Sequence, residues 1–337
     1  MRTQEIKKAA KVAEGLWCYY TGGNVSLEAR RALLDLHCET NGRFTDTLAK
    51  VIRMARPARR PVPVNGLLGN LSVEKQTEIA NAIARDGFYN FGPMIPAAVC
   101  DAITKCALRT PCIVEGRGLA LENRMTFDPA VAPVSKTYRI PESECIKDHA
   151  VQSLMADASM LAIAETYLRT HPILSGTNLW WSATFGNEPG GDAAQEFHFD
   201  FDPPPIWLLF FVYLTDVGPD NGPHVFARGT HRSDLPAAAP LLARGYVRIP
   251  DEDVTAAFGR DNIVEFQGKR GTVLAVDTRG FHKGKMLTAG HRLMAQLTYS
   301  CPPYSGAHAR RQQLSADLDP SLAAAIKATP GVFQKYT

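Results

Sequence analysis

The chain has 337 residues, enough for one large domain with an extension or for two ordinary domains. Its hydrophobic fraction of 45% and charged fraction of 21% are typical of soluble globular proteins and exclude a disordered or fibrous chain. The net charge of +3 is too small to indicate a polyanionic partner. The longest strongly apolar run, Trp207 to Leu214, is far shorter than the roughly 20 residues of a membrane helix, and the N-terminus lacks a secretory signal. We therefore expect a packed, cytoplasmic protein without a membrane span.

Seven cysteines form an odd number without a C-x-x-C pair, at positions 18, 38, 100, 106, 112, 145 and 301. This pattern argues against a disulfide framework and against a thiolate zinc site. We expect seven reduced thiols, with Cys301 in a structural role.

The first part of the chain is predicted to be helical. Apolar residues recur at helical spacing in Ile6 to Tyr19 and in Leu27 to Leu36, where Ser26 can cap the second helix. Prolines at 57, 61 and 63 then interrupt any helix and predict a connector. The basic run Arg53 to Arg60 lacks aromatic neighbours, which favours an exposed linker over a nucleic-acid site. We predict a helical N-terminal extension over residues 1–65.

The next helices are predicted from their end signals. Ser72 can cap a helix that ends near Asp86, where Gly87 offers a left-handed C-cap, and Pro96 can open another. Residues 148–169 show one further helical pattern that ends before Pro172.

Beyond residue 178 the pattern changes to short runs rich in Trp, Phe, Val, Tyr and Thr, separated by Gly, Pro, Asn and Asp. Such runs predict strands. Their ranges are 178–185, 195–201, 206–214, 245–249, 272–276 and 292–299. We predict an α+β protein with a mainly β core over residues 66–337, built as a barrel or sandwich with helices on one outer face.

A metal site is predicted within this β half. His198 and Asp200 stand two apart in a predicted strand, so both side chains leave the same face. His282 follows a later strand. Two histidines and one carboxylate form the facial triad of non-haem iron(II), which leaves three positions for a bidentate 2-oxoacid and dioxygen.

A His-x-Asp triplet is common by chance, so the order of the other residues carries weight. Ten residues after His282 comes Arg292, whose guanidinium can bind a distal carboxylate such as that of 2-oxoglutarate in bidentate fashion. The triplet, the later histidine and this arginine appear in the order that the chemistry requires.

Several motifs resemble the phytanoyl-CoA dioxygenase family of 2-oxoglutarate oxygenases. They run from Arg85 to Tyr89, include His198-Phe-Asp200 and Asn221-Gly-Pro with Gly229-Thr-His231, and end with Gly271 to Asp277 and His282-Lys-Gly with Arg292. The resemblance implies a double-stranded β-helix, a jelly-roll or cupin-like barrel. It implies His198, Asp200 and His282 as iron(II) ligands and as the catalytic centre, and Arg292 as the 2-oxoglutarate clamp. The implied reaction uses dioxygen to hydroxylate a small molecule and releases succinate and carbon dioxide.

This sequence departs from the family pattern in three places. Members often carry a hydroxyl residue two after the distal histidine, where this chain has Gly284, so a second 2-oxoglutarate contact must come from elsewhere. A lysine that helps bind the cosubstrate could correspond to Lys136. Residues 1–65 have no counterpart that identifies their role.

Other residues compete for roles in the site. Asp202 could replace Asp200 as ligand, although the nearer carboxylate is favoured. His224 and His231 lie in a turn-rich segment, where a hydrogen-bonded or exposed histidine is the more common outcome. Trp180, Trp181, Phe197, Phe199 and Tyr213 could line a substrate pocket or fill the core.

Two other functions stay open from the sequence. One is a cupin-like metal enzyme that does not use 2-oxoglutarate, and the other is a barrel that binds without catalysis. Thr298 stands where nucleic-acid repair oxygenases carry a second arginine, which argues against a nucleobase substrate. Halogenating relatives lack the triad carboxylate, so Asp200 predicts hydroxylation or a related oxidation. The substrate itself cannot be predicted from the fold.

Overall fold

The computed structural model describes residues 3–21, 25–117, 119–186, 194–201, 205–301 and 311–336. Within these ranges no helix has both the length and the apolar character needed to cross a membrane. All seven cysteines are free thiols, as predicted. The protein begins with three helices, α1 (Thr3–Tyr20), α2 (Leu27–Glu39) and α3 (Arg43–Ala55). Ser26 caps α2 as predicted, because its hydroxyl accepts a hydrogen bond from the Ala29 amide at 3.1 Å.

The connector leads into a short hairpin and the next helix: β1 (Val64–Gly66), β2 (Gly69–Leu71) and α4 (Val73–Asp86). The Ser72 hydroxyl caps α4, and Gly87 ends it with φ of +92°, both as predicted. A Cβ atom at Gly87 would lie 2.6 Å from the Phe226 ring, so both backbone conformation and space require glycine there.

The chain then alternates short strands and helices: β3 (Phe88–Pro93), α5 (Ala97–Arg109), β4 (Ile113–Val114), β5 (Thr137–Ile140), α6 (Glu142–Cys145), α7 (His149–Met155) and α8 (Ala158–Leu168). The prediction of one helix over residues 148–169 is wrong, because α7 and α8 are separate. Asp157 separates them, since its carboxylate accepts hydrogen bonds from the amides of Met160 at 2.8 Å and Leu67 at 2.6 Å. An aspartate that binds backbone amides favours a helix start over a helix interior.

The second half contains most of the strands. They and the intervening helices are β6 (Ile173–Ala183), β7 (Trp207–Tyr213), β8 (His224–Ala227), α9 (Ala239–Leu242), α10 (Asp251–Phe258), β9 (Ile263–Phe266), β10 (Thr272–Val276), β11 (His282–Gly284), β12 (His291–Ser300) and α11 (Pro320–Ala328).

In the described part of the chain, two antiparallel sheets form the core. The larger sheet has the strand order β3-β10-β7-β12-β6-β5-β4, and the smaller has the order β11-β8-β9. Strands β7 and β10 are buried along their whole length, because the two sheets enclose their inner face and α8 packs on the outer side against β7 and β12. This arrangement confirms the predicted double-stranded β-helix with helices on one outer face.

Two of the predicted strands do not form. Residues 195–201 and 245–249 make only isolated bridges, Phe197 with Ile249 and His198 with His282. The predicted exposure of the basic run is also wrong at Arg53, which is half-buried because its guanidinium donates to the Leu168 carbonyl at 2.9 Å. The other residues of that run are mostly exposed.

The main hydrophobic cluster joins the N-terminal helices to the large sheet. Leu33 of α2 and Ile52 of α3 belong to the same cluster as Leu208 of β7 and Leu297 of β12. The predicted boundary after residue 65 falls within the β1–β2 hairpin, and the division into 1–65 and 66–337 stays a prediction.

Candidate active site

Backbone hydrogen bonds place the predicted metal ligands beside each other. The His198 amide donates to the His282 carbonyl at 2.9 Å, and the His282 amide donates back to the His198 carbonyl at 2.8 Å. The Asp200 amide donates to the Thr278 carbonyl at 2.7 Å. The segment with His198 and Asp200 therefore runs antiparallel to the segment that leads into β11, although no regular ladder forms.

Side chains alternate along this segment as a strand would require. Phe197 and Phe199 point into the second hydrophobic cluster with Phe281, while His198 and Asp200 leave the opposite face. The face alternation predicted from the sequence is therefore correct, even though the strand itself is wrong.

The three predicted ligands converge. His198 Nε2 lies 3.7 Å from one oxygen of Asp200, and His282 Nε2 lies 3.6 Å from the other. Among the described residues, these three side chains form the group whose ligand atoms all lie within 4.8 Å of one another. A single ion can therefore contact two imidazoles and one carboxylate on one side.

Each histidine ring is oriented by its other nitrogen. Nδ1 of His198 lies 2.9 Å from the Glu196 carbonyl, and Nδ1 of His282 lies 2.9 Å from the Gly280 carbonyl. Because a carbonyl oxygen only accepts, each Nδ1 carries the proton and each Nε2 presents a lone pair to the metal position. Burial, followed by the neighbouring His282, lowers the pKa of His198 to about 2, so the ring stays neutral as a metal ligand must.

A cavity of about 370 Å³ extends from this triad between the two sheets. Its apolar walls come from alternate residues of the large sheet: Trp180, Leu209, Phe211 and Met294. Its polar walls come from the same strands and from β5: Thr137, Arg139, Asn178, Ser182 and Gln296.

Arg292 lines this cavity and is buried, with 5% of its surface exposed. One terminal nitrogen, Nη2, contacts the Ser182 hydroxyl at 3.2 Å, whereas Nε and Nη1 have no hydrogen-bond partner in the described residues. Burial lowers the pKa of Arg292, and no carboxylate of the described residues counters this effect. The site therefore holds a buried cation whose Nε and Nη1 atoms can donate hydrogen bonds to an anionic ligand.

His224 also lines the cavity, although the sequence favoured a hydrogen-bonded or exposed histidine. It begins β8, 4% of its surface is exposed, and its Nε2 has no partner among the described residues. Burial lowers its pKa well below the ordinary value. That prediction is therefore wrong. The four-residue run His224 to Ala227 after an Asn-Gly-Pro turn is the signal that could have indicated a buried strand.

Other candidate residues lie apart from the triad. His231 is buried behind the site, and its Nε2 donates to the Ala84 carbonyl at 3.2 Å, which confirms a hydrogen-bonded histidine. Of the five aromatic candidates only Trp180 lines the cavity; Trp181, Phe197, Phe199 and Tyr213 belong to the hydrophobic clusters. Lys136 precedes β5 and is not part of the cavity wall, where Thr137 and Arg139 are found instead. Asp202 lies outside the described residues.

Residues 83–294 match the family model of phytanoyl-CoA dioxygenase (PhyH), a range that includes the triad and Arg292. The chain belongs to the phytanoyl-CoA dioxygenase family. No curated protein sequence matches the chain.

Several solved structures are similar to this chain at low sequence identity. The non-haem alpha-ketoglutarate-dependent epimerase SnoN from nogalamycin biosynthesis is 15% identical, with a TM-score of 0.46 over 69% of this chain and 86% of that one. EctD from S. alaskensis, solved with 2-oxoglutarate and 5-hydroxyectoine, is 21% identical, with a TM-score of 0.44 over 73% and 82%. HygX from Streptomyces hygroscopicus, solved with nickel and 2-oxoglutarate, is 15% identical, with a TM-score of 0.43 over 72% and 92%.

Proposed function

We propose that this member of the phytanoyl-CoA dioxygenase family is an iron(II)- and 2-oxoglutarate-dependent oxygenase that hydroxylates, or otherwise oxidises, a C–H bond of a small molecule. The observation that carries the proposal is the buried, unpaired Arg292 in the same cavity as the His198, Asp200 and His282 cluster. A metal triad alone is shared by many cupin-like enzymes, but a buried guanidinium beside it requires an anion of the kind that 2-oxoglutarate supplies.

The residues present fit both absent groups. The Nε2 atoms of His198 and His282 and the carboxylate of Asp200 suit iron(II), which would supply the activation of dioxygen when bound. Arg292 binds the distal carboxylate of 2-oxoglutarate, and Ser182 holds one arm of its guanidinium. Trp180, Phe211 and Met294 exclude water from the space between them.

The cavity wall also offers a second cation. Arg139 pairs with Trp180 across neighbouring strands and lines the cavity. It is exposed, and its side chain forms no hydrogen bond or ion pair within the described part of the chain. Asp200 is the acid in the cavity wall, and it is assigned to the metal. We therefore favour a substrate with a carboxylate or phosphate group. In a panel of acidic and neutral small molecules, the acidic ones should stimulate succinate release more strongly.

The direct test is succinate release from 2-oxoglutarate under air with iron(II). We expect activity in the wild type and a loss of at least about 100-fold in His198→Ala, because removing a ligand weakens metal binding by more than removing an outer-shell partner, which costs 10–100-fold. The matched control is His149→Ala, since His149 is about half exposed on the surface and should leave activity unchanged. A wild-type protein that releases no succinate across the substrate panel would refute the proposal.

Calorimetry separates this function from the two alternatives. The manganese-loaded protein should bind 2-oxoglutarate, and Arg292→Ala should weaken that binding by about 30-fold or more, since a charge-assisted pair to a buried arginine contributes roughly 2 kcal/mol or more. Binding that is absent, or that Arg292→Ala does not change, would favour a metal enzyme that uses no 2-oxoglutarate. Purified protein that retains no metal would favour a barrel without catalysis.

A further inference from the structure

His224 lines the same cavity as the metal triad and Arg292. It begins β8 and pairs across the small sheet with Gly284 of β11. Its ring centroid lies 5.5 Å from that of His282, and Arg292 lines the same cavity. A ligand that fills this cavity would therefore lie beside this ring.

The described neighbours of the His224 ring do not explain why this position carries a polar side chain. Its described ring neighbours besides the triad are Phe211 at 5.0 Å and Phe266 at 5.9 Å, and its Nε2 has no hydrogen-bond partner. An apolar residue of similar size would pack there without leaving a buried polar atom unpaired. The histidine therefore points to a ligand as its missing partner.

Gly284 explains why a contact from His224 would be needed. A Cβ atom built on Gly284 would lie 3.8 Å from Nη2 of Arg292, so this position borders the ligand that Arg292 binds. Glycine contributes no side chain there. A carboxylate offers about four lone-pair sites, more than one guanidinium group fills. His224, the cross-strand neighbour of Gly284, is a polar residue of the same cavity.

We propose that the His224 ring donates a hydrogen bond to the distal carboxylate of 2-oxoglutarate, beside Arg292. This assignment rests on the function proposed above. A neutral imidazole carries one N–H donor, which the carboxylate accepts, and the burial that keeps the ring neutral also excludes competing water. His224 is thus a determinant of cosubstrate specificity for 2-oxoacids with a second carboxylate.

The test compares two probes and a matched pair of variants by calorimetry on the manganese-loaded protein. The probes are 2-oxoglutarate and 2-oxopentanoate, which has the same carbon chain without the distal carboxylate. His224→Leu removes the donor, whereas His224→Asn keeps an N–H donor in a side chain of nearly the same shape as leucine. We expect His224→Leu to weaken 2-oxoglutarate binding about tenfold and 2-oxopentanoate binding less than twofold, with His224→Asn between the wild type and His224→Leu.

A second-site variant tests the geometry. Gly284 has a negative φ, and a Cβ atom there would lie at ordinary van der Waals distance, 3.8 Å from Arg292 Nη2 and 3.9 Å from the Ala194 carbonyl oxygen. Gly284→Ser can therefore place a hydroxyl donor beside Arg292. The double variant His224→Leu with Gly284→Ser should regain most of the lost 2-oxoglutarate affinity. Should His224→Leu not fold, as judged by thermal melting, the Asn variant and Gly284→Ser in the wild-type background still report: Asn should bind 2-oxoglutarate less tightly, and Ser should bind it at least as tightly as the wild type.

Three results would overturn the assignment: unchanged 2-oxoglutarate affinity in the His224 variants, an equal loss for both probes, or a loss that Gly284→Ser does not restore. These three results differ from those expected if the proposed function itself fails. If it fails, the wild type binds no 2-oxoglutarate, or Arg292→Ala binds 2-oxoglutarate as well as the wild type does.

Discussion

In the proposed function, Asp200 is the residue that selects hydroxylation over halogenation. Its side chain is 36% exposed, whereas those of the two histidines are 6% exposed, so it is the triad ligand nearest to the opening of the cavity. In the proposed function, His198, Asp200 and His282 would hold iron(II) on one side, and 2-oxoglutarate and dioxygen would use its other positions, which would leave none for a halide.

Asp200→Gly should therefore lower turnover by at least about 100-fold without creating a halogenase, because the surrounding groups would still not orient a halide. Asp200→Glu, which keeps a displaced carboxylate, is the matched control and should retain more metal affinity. The measurement is product mass spectrometry of the wild-type reaction in chloride-rich buffer. A gain of one oxygen or a loss of two hydrogens fits the assignment, while a chlorinated product would show that Asp200 is not a ligand.

The sequence predicts a residue's place in the site only where the spacing between residues determines it. The same-face relation of His198 and Asp200 follows from strand alternation, and Arg292 follows from its place after His282. His224 was missed because four residues between turns give too short a window for periodicity to indicate burial. The neutral, unpaired state of its ring depends on Phe211 and Phe266, which are distant in sequence.

At the level of elements, the N-terminal helices support the metal-binding segment. His37 of α2 lies with its ring 4.8 Å from Phe201 and 5.7 Å from Phe199, the two residues that flank Asp200. The ring is held in turn by the Thr45 hydroxyl at 2.9 Å from its Nδ1. Asp46 of α3 pairs with Arg279, which precedes His282 by three residues. The extension whose role the sequence left open thus contacts the backbone segments of both parts of the triad.

His37→Ala should remove this support. The lost packing should lower the free energy of unfolding by about 2–4 kcal/mol. Because Phe199 and Phe201 would then be free to shift Asp200, metal affinity should fall by about tenfold, as for outer-shell partners. His149→Ala, an exposed histidine on α7, is the control. The measurement is manganese affinity, titrated on the folded His37→Ala protein at 10 °C. If this variant melts at a lower temperature but binds manganese as tightly as the wild type, the extension has a role in stability only.

The elements that sequence patterns failed to predict are those fixed by distant contacts. Helix starts with a serine cap, as in α2 and α4, and the glycine stop of α4 were predicted close to the observed bounds. The small sheet was not, since β8, β9 and β11 have three or four residues each and are defined by pairing with one another. Conversely, residues 195–201 carry strand-forming residues but find only isolated bridge partners.

At the level of the whole molecule, several histidines are buried as neutral rings. Burial lowers the pKa of His37 to about 3 and that of His231 to about 4, and it lowers the pKa of His224 well below its ordinary value. Their ordinary pKa is near 6.5. Between these values the unfolded chain binds protons that the folded protein does not, so stability increases with pH across this window.

The metal-free protein should therefore keep full stability above pH 6.5 and lose it as the pH falls toward 4. Each buried histidine contributes a slope of about 1.4 kcal/mol per pH unit within the window. The carboxylates with lowered pKa, such as Asp277 beside Arg279, act only at lower pH, since they protonate below their ordinary value in the folded state. His231→Gln can keep a donor to the Ala84 carbonyl without a titrating ring, and it should reduce the slope by about one proton. The test is urea unfolding between pH 7 and pH 4.5 with a chelator present, with His149→Gln as the exposed control. A His231→Gln slope equal to that of the wild type would mean that His231 already carries its proton in the folded protein.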